Sequence, residues 1–377
     1  MKHFQSGNYR KQIEGYQSFS PTPINRQWII DDPEILELLG EADRFIGKLD
    51  MFSNYVPNVD LFISMHVVKE ATTSSRIEGT KTNIQEALMP ESDVDPEKRD
   101  DWQEVRNYID AMNFAVAKLS ELPLSGRLIR DTHKILLSGA RGRHKLPGEF
   151  RNSQNWIGGV TLKDAAFVPP HHSEVPELMG DLEKFIHNES IKVPHLIKIA
   201  LAHYQFETIH PFLDGNGRVG RLLITLYLVS SGLLKKPVLY LSDFLDKNRS
   251  LYFDNLSAMR TRNDLVQWLK FFLVGVAETS AQACQTFDDI LALRKELEGE
   301  KIPELGAKAK KARLLLDHLY QQPIVDGAEV SKVTGYSLPS AYKLLEAFQR
   351  MDILVEKTGF QRNRKFVFQT YLDLFQR

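Results

Sequence analysis

His210-Pro211-Phe212-Leu213-Asp214-Gly215-Asn216-Gly217-Arg218-Val219-Gly220-Arg221 is the stretch on which the reading of this chain turns. Gly215 and Gly217 flank an amide, and without a Cβ they let the backbone turn tightly and bring its N–H groups against a ligand. The apolar run from Leu222 to Val229 makes that turn the start of a buried helix. A helix N-terminus behind a glycine loop is an anion site. Arg218 and Arg221 are three residues apart in the first turn, so they share a face beside the loop. Cations there oppose the helix dipole unless an anion lies between them, and a polyphosphate would satisfy both. Asp214 can hold the Mg²⁺ that accompanies a polyphosphate. His210, with an ordinary pKa near about 6.5, can take a proton from an incoming hydroxyl.

These residues closely resemble the signature of the Fic (filamentation induced by cAMP) family, His-x-Phe-x-Asp/Glu-Gly-Asn-Gly-Arg-x-x-Arg, at every defined position. The resemblance implies a mainly α protein: a Fic-fold helical core with a β-hairpin flap. It implies transfer of AMP from ATP to a Ser, Thr or Tyr hydroxyl of a target protein, with Mg²⁺ as cofactor. His210 would be the catalytic base and Asp214 the metal ligand. Gly215, Asn216, Gly217, Arg218, Val219, Gly220 and Arg221 would bind the nucleotide, Arg221 at the γ-phosphate. A diverged, phosphorylating branch carries a lysine near the second glycine; Gly217 stands there, which favours nucleotidyl transfer. The family often has two adjacent tyrosines near the base, and here the pair is Tyr252-Phe253, so Tyr252 is assigned to the nucleotide.

Upstream, a helix predicted from Asp60 to Glu78 stops at Gly79, a residue suited to a helix C-cap. Glu78 then faces the negative end of the helix dipole, a broken local rule of the kind found at functional sites. Ser74-Ser75-Arg76-Ile77-Glu78-Gly79 is similar to the Fic inhibitory motif Ser/Thr-x-x-x-Glu-Gly/Asn. That resemblance makes Ser74, Glu78 and Gly79 an inhibitory set, with Glu78 on Arg221.

Between residues 142 and 170 the composition shifts to Gly, Asn, Pro and Arg, with β-prone pieces at Asn155-Trp156-Ile157 and Ala166-Phe167-Val168. This predicts an exposed hairpin. The family's flap lies here, and the resemblance assigns Trp156, Ile157, Gly158 and Gly159 to holding an extended target segment by strand addition. His171-His172 is read as surface, adjacent histidines being expected to point apart.

The remaining pattern predicts an extended arm over residues 1–27 and a helix opening at Pro33. Residues 91–101 read as a loop. Helices are predicted over 101–121, 125–138, 175–188, 194–208 and 264–278, with a further long helix reaching Glu300. Ile302-Pro303 and Leu305-Gly306 read as a linker. Residues 307–377 show helices, a turn at Gly335 and two strands around Gly359, the order of a winged helix. The second short helix, 339–350, would take the recognition position, and Arg362, Arg364 and Lys365 would line the wing. The expected units are an N-terminal helical region with the inhibitory helix (1–100), a Fic core (101–300) and a C-terminal winged-helix domain (307–377).

Composition fits a globular protein of two or three domains: 377 residues, 42% hydrophobic and 26% charged. Its single cysteine, Cys284, excludes an intrachain disulfide and a multi-cysteine zinc site. Neither a signal peptide nor a membrane span is legible, so a cytoplasmic protein without a membrane partner is expected. From Lys301 onward, 13 Lys and Arg stand against 8 Asp and Glu in a chain of net charge −1, which marks the tail as a separate unit. Candidate partners are ATP, a target presenting a hydroxyl side chain, a second copy of the chain, and DNA through 307–377. Two other functions fit the same residues: a DNA-binding regulator whose core senses nucleotide, and a hydrolase that removes AMP with Glu78 positioning water.

Overall fold

Asp32 and Pro33 start the first helix, α1 (Pro33–Tyr55), as the sequence predicts. The Asp32 carboxylate accepts from the N–H groups of Glu34 and Ile35, both at 3.1 Å, and proline is tolerated at the first helical position because that N–H has no helical partner. The computed structural model describes residues 4–55, 58–139, 141–359 and 364–376. Ahead of α1, the predicted arm is an antiparallel pair, β1 (Gly7–Lys11) with β2 (Gln17–Pro21), Tyr9 facing Phe19. Phe19 supplies the reason. It is fully buried, edge-on to Tyr9 at 5.2 Å and 5.9 Å from Phe167, and its N–H donates to the Val168 carbonyl at 2.9 Å. The arm folds back on itself to cover that ring.

Next come α2 (Asp60–Ile77), α3 (Ile84–Leu88), α4 (Arg99–Lys118) and α5 (Gly126–Leu136), with two 3-10 turns in the predicted 91–101 loop. After an irregular stretch follow α6 (Val175–His187), α7 (His195–Ile209), α8 (Asn216–Ser230), α9 (Ser242–Lys247) and α10 (Arg249–Arg262). α7 is buried on every side from Leu196 to Ile209, and α8 from Val219 to Leu228, as segments without a polar stripe must be. They form the centre, with α2, α4, α5, α6 and α11 (Leu265–Glu296) packed against one or both. The expected break near residue 278 is absent. Val276, Ser280, Ala283, Phe287 and Ile290 continue one buried face, so α11 runs as a single helix alongside α1.

The stretch expected as a linker is also helical: a π turn over Leu297–Lys301 and a 3-10 turn over Ile302–Lys308, with Leu297 and Ile302 buried. Only Gly306 departs, at φ 54° and ψ −121°, where the chain bends. Then follow α12 (Ala309–Gln321), β3 (Ile324–Asp326), α13 (Gly327–Thr334), α14 (Leu338–Arg350), β4 (Val355–Glu356), β5 (Lys365–Val367) and α15 (Gln369–Asp373). The strands form one antiparallel sheet in the order β3-β5-β4; β3 was not legible in the sequence. This tail is not detached. Tyr320 lies edge-on to Phe62 of α2 at 5.1 Å and Phe375 edge-on to His66 at 5.0 Å, so its core is continuous with that of the helical body. Among the predicted wing residues, Arg362 lies outside the described residues, Arg364 is 3.9 Å from Glu356, and Lys365 pairs with Asp326 at 3.1 Å and Asp93 at 2.9 Å.

The flap is less regular than predicted. Its two strands reduce to one antiparallel bridge, Ile157 with Phe167, closed by N–H to carbonyl bonds of 2.8 and 3.1 Å. Gly158 and Gly159 both take positive φ, 68° and 71°, and turn the chain away before a ladder can extend. Trp156 and Val160 are left exposed. The rings of His171 and His172 lie 4.1 Å apart instead of diverging, because His171 turns to bond Ser173 Oγ at 2.8 Å.

Candidate active site

α7 ends at His210, whose φ of 50° is left-handed, an uncommon backbone for a residue with a Cβ. Neighbours hold it there. Buried Arg151 donates from Nε to the His210 carbonyl at 2.9 Å and from Nη2 to the Pro170 carbonyl at 2.5 Å, and its own N–H donates to the Pro211 carbonyl at 2.9 Å. Asn155 Nδ2 donates to the Phe212 carbonyl at 2.9 Å. The segment leading into the flap therefore grips the loop by its backbone.

The loop is closed from within by Asn216, whose side chain accepts from the Phe212 N–H and donates to the Phe212 carbonyl, both at 2.8 Å. Phe212 stacks on His133 of α5 at 3.7 Å. His133 Nδ1 accepts from the Gly148 N–H at 2.9 Å, so the neutral ring carries its proton on Nε2 and donates to the Asp214 carbonyl at 3.0 Å. Beneath α8, His203 is held in the opposite tautomer: Nδ1 donates to the Gly220 carbonyl and Nε2 accepts from the Tyr252 hydroxyl, both at 2.9 Å. Burial holds both rings neutral, pushing their pKa values down to about 4. The unfolded chain takes up these protons below about pH 6.5 and the folded chain does not, so stability is lost as pH falls from about 6.5 toward 4. Each ring should remove on the order of 2–3 kcal/mol by pH 4, read as a falling melting temperature across that window.

His210 itself has a pKa pushed down to about 4, by burial first and then by the guanidiniums of Arg151 and Arg260. Its Nδ1 has no hydrogen-bond partner. At neutral pH its ring is uncharged.

α8 begins at Gly215, φ 74°, and its first helical bond is from the Val219 N–H to the Gly215 carbonyl at 3.0 Å. The preceding N–H groups of Asn216, Gly217 and Arg218 therefore lack helical partners. A carboxylate lies beside Gly217 in this turn. A Cβ at Gly217 would lie 2.2 Å from Glu78 Oε1, so glycine here is what admits the acid to the helix start. Arg221, almost fully buried, donates from Nη2 to Glu78 Oε1 at 2.6 Å and to the Ser74 carbonyl at 2.9 Å, and from Nε to Ser74 Oγ at 2.8 Å. Burial pushes the Glu78 carboxyl up, but Arg221 and then Arg218 outweigh it and hold it below the ordinary range. Gly79, at φ 106°, ends the helix that delivers this acid.

Asp214 has a side chain 46% exposed, with Oδ1 3.7 Å from Arg218 Nη2. Arg218 is paired through Nη1 with Glu104 of α4 at 3.1 Å. The other nucleotide candidates lie deeper. Val219 packs in the core, Gly220 lies against the buried Glu207 carboxylate, and Tyr252 is buried, while neighbouring Phe253 is 42% exposed. Burial pushes the Glu207 carboxyl up to about 7, and its Oε1 has no partner. Trp156, Ile157, Gly158 and Gly159 lie on the segment that continues from the Arg151 and Asn155 grip. Sequence reading missed Glu104, His133, Arg151, Asn155 and Glu207. None stands at a motif spacing; only Arg151, in a Gly- and Pro-rich stretch, offered a signal as a cation with no nearby acid except Glu149.

No helix among the described residues is long and apolar enough to cross a membrane. Residues 36–117 match the Fic/DOC family N-terminal model, and residues 123–228 match the Fic/DOC family model. Over 144 residues the chain is 32% identical to the protein adenylyltransferase Fic of Drosophila erecta and 33% identical to that of Drosophila yakuba. That covers 37% of this chain and 27% of each of those proteins, so the chain spans about a quarter of the curated relatives it matches. A crystal structure of a Fic family protein from Desulfovibrio desulfuricans shares the fold with a TM-score of 0.56 at 18% identity, over 91% of this chain and 98% of that one. A Caenorhabditis elegans Fic-1 fragment gives 0.51 at 20% identity, over 70% and 75%. A helix delivering an acid onto a glycine-bounded loop, both matched by the paired family models, makes this chain a member of the Fic/DOC family.

Proposed function

We propose that this protein is an adenylyltransferase that moves AMP from ATP to a Ser, Thr or Tyr hydroxyl of a target protein and is held back by Glu78. One observation carries the reading: an anion, the Glu78 carboxylate, already occupies the start of α8 and bonds the last arginine of the loop. A position that accepts a carboxylate on that guanidinium beside a helix start accepts a phosphate there, with the free N–H groups of the first turn as further donors. Neutral His210 takes the proton of the incoming hydroxyl as its oxygen attacks the α-phosphorus. The bond to pyrophosphate breaks, and the electron pair leaves with it. The N–H groups of Asn216, Gly217 and Arg218, with the Arg218 guanidinium, stabilise charge on the transferring group, and Arg221 binds the γ-phosphate once Glu78 withdraws.

Asp214 would hold Mg²⁺. Its carboxylate is half exposed beside the loop, and one carboxylate with phosphate oxygens is a usual site for that ion. Among the described residues no group of three or more His, Cys, Asp or Glu is placed to hold a metal ion. When bound, the ion neutralises phosphate charge. Asp214→Ala should raise the magnesium requirement and cut turnover; superimposable magnesium titrations of mutant and parent would refute the role.

Trp156, Ile157, Gly158 and Gly159 would seat the target's extended segment beside His210. We read the C-terminal elements as a winged helix that serves as a protein-contact module in preference to a DNA reader, since Lys365 is engaged by Asp93 and Asp326 and Arg364 lies beside Glu356. Incubation of the protein with a cell lysate and ATP labelled at either the α or the γ position tests the reaction. Label retained on protein from the α form alone supports it; label from the γ form would mean phosphoryl transfer.

A further inference from the structure

Arg218 stands where a cation is least welcome, in the first turn of α8 at the positive end of its dipole, with a side chain only 4% exposed. One close ion pair holds it: Nη1 donates to Glu104 Oε2 at 3.1 Å. The other Glu104 oxygen accepts from Arg141 Nη1 at 3.2 Å, and Arg141 is fixed in turn by Asp100 at 3.1 Å and Asp101 at 2.9 Å. The anchor is therefore itself anchored.

The opposite edge of the guanidinium is unlike this. Nε is buried without a hydrogen-bond partner, and Nη2 has Asp214 Oδ1 at 3.7 Å, beyond a hydrogen bond. A buried donor left unpaired is costly, and the Nε–Nη2 edge of an arginine is a fork that takes a phosphate through two parallel bonds. The unfilled edge is the one nearest Asp214.

We propose that Glu104, 114 residues before Arg218 and outside the motif, is a positioning residue for nucleotide transfer: by anchoring Nη1 it presents the Nε–Nη2 edge of Arg218 to the phosphates beside Asp214. The inference rests on the adenylyltransferase reading above. Glu104 differs from Glu78 in kind. Glu78 lies over Gly217, where the anion itself would sit, whereas Glu104 reaches the far end of its arginine from α4 and keeps Arg141 as a second cation.

The test uses the full chain carrying Glu78→Gly, so that transfer is measurable, and compares Glu104 with Glu104→Gln and Glu104→Asp. Incorporation from α-labelled ATP gives kcat and the KM for ATP, and melting temperatures are read alongside. Glu104→Gln should lower kcat by about 10–100-fold with KM changed by less than about threefold. Glu104→Asp keeps the charge but falls short of Nη1; it should melt close to the parent yet lose about tenfold in kcat, which a role in charge balance alone would not produce. Full kcat in the Asp variant, or a Gln variant that loses only melting temperature, overturns the proposal in favour of a structural ion pair. A rise in kcat in either overturns it in favour of a second competing carboxylate. No transfer by the Glu78→Gly parent sinks the adenylyltransferase reading, and this inference with it.

Discussion

Glu78→Gly should raise AMP incorporation by about 10² over the parent chain. In the resting structure Arg221 spends its guanidinium on α2, through Glu78 at 2.6 Å and twice through Ser74, and the Glu78 carboxylate lies against the start of α8. Phosphate and carboxylate compete for the same donors, and each of these bonds is charge-assisted. A nucleotide that enters beside Glu78 has its terminal phosphates displaced, and an ångström of misplacement at the reacting phosphorus is enough to cost two orders of magnitude. Removing the carboxylate leaves both Ser74 contacts in place, so Arg221 stays oriented while the Nη2 hydrogen that faced Glu78 becomes available. The mutant should also melt lower, because a buried cation loses its counter-ion. Glu78→Gln separates charge from helix fraying next to Gly79. If neither mutant exceeds the parent in a labelled-ATP assay, inhibition through Glu78 is wrong.

His210→Ala in the Glu78→Gly background should remove about 10²–10⁴ of the rate while leaving ATP affinity within a few-fold. The loop should survive the change, because Arg151 and Asn155 hold backbone carbonyls and not the imidazole, and Asn216 closes the loop on Phe212. The pH profile adds a second check. With its pKa pushed down to about 4, His210 is already deprotonated throughout the physiological range, so the acid limb of kcat/KM should fall near pH 4 and not near 6.5. Loss of Glu78, which pulls that pKa up, moves the limb lower still. Activity that survives in the double mutant would remove His210 from the mechanism.

The helical body was legible because its apolar runs carry their own period and stops. Pro33 after Asp32 opens α1, Gly79 and Gly335 end helices in left-handed backbone, and the apolar run 222–229 behind the glycine loop reads as a buried helix. The loop was legible for a different reason: its chemistry is local, with base, carboxylate, glycines and arginines all within twelve residues. Errors came where the outcome depended on distant partners. The arm became a hairpin to cover Phe19 beside Phe167, and the supposed linker stayed helical because Leu297 and Ile302 found a core to enter. The C-terminal tail, distinct in charge, is fused to α2 through Tyr320 and Phe375.

From the sequence alone came the candidate reacting groups and the candidate inhibitor, since residue type and short spacing determine what a side chain can do. Tertiary structure decided which partner each of those groups has. Glu78 reaches Arg221 across 143 residues, Glu104 reaches Arg218 across 114, and the grip of Arg151 on His210 spans 59. Such pairings have no periodicity to read. They exist because α2 and α4 pack on α8 and the 148–155 segment on the loop ahead of it, and that packing sets both the resting neutrality of His210 and the seat of the Glu78 carboxylate beside Gly217.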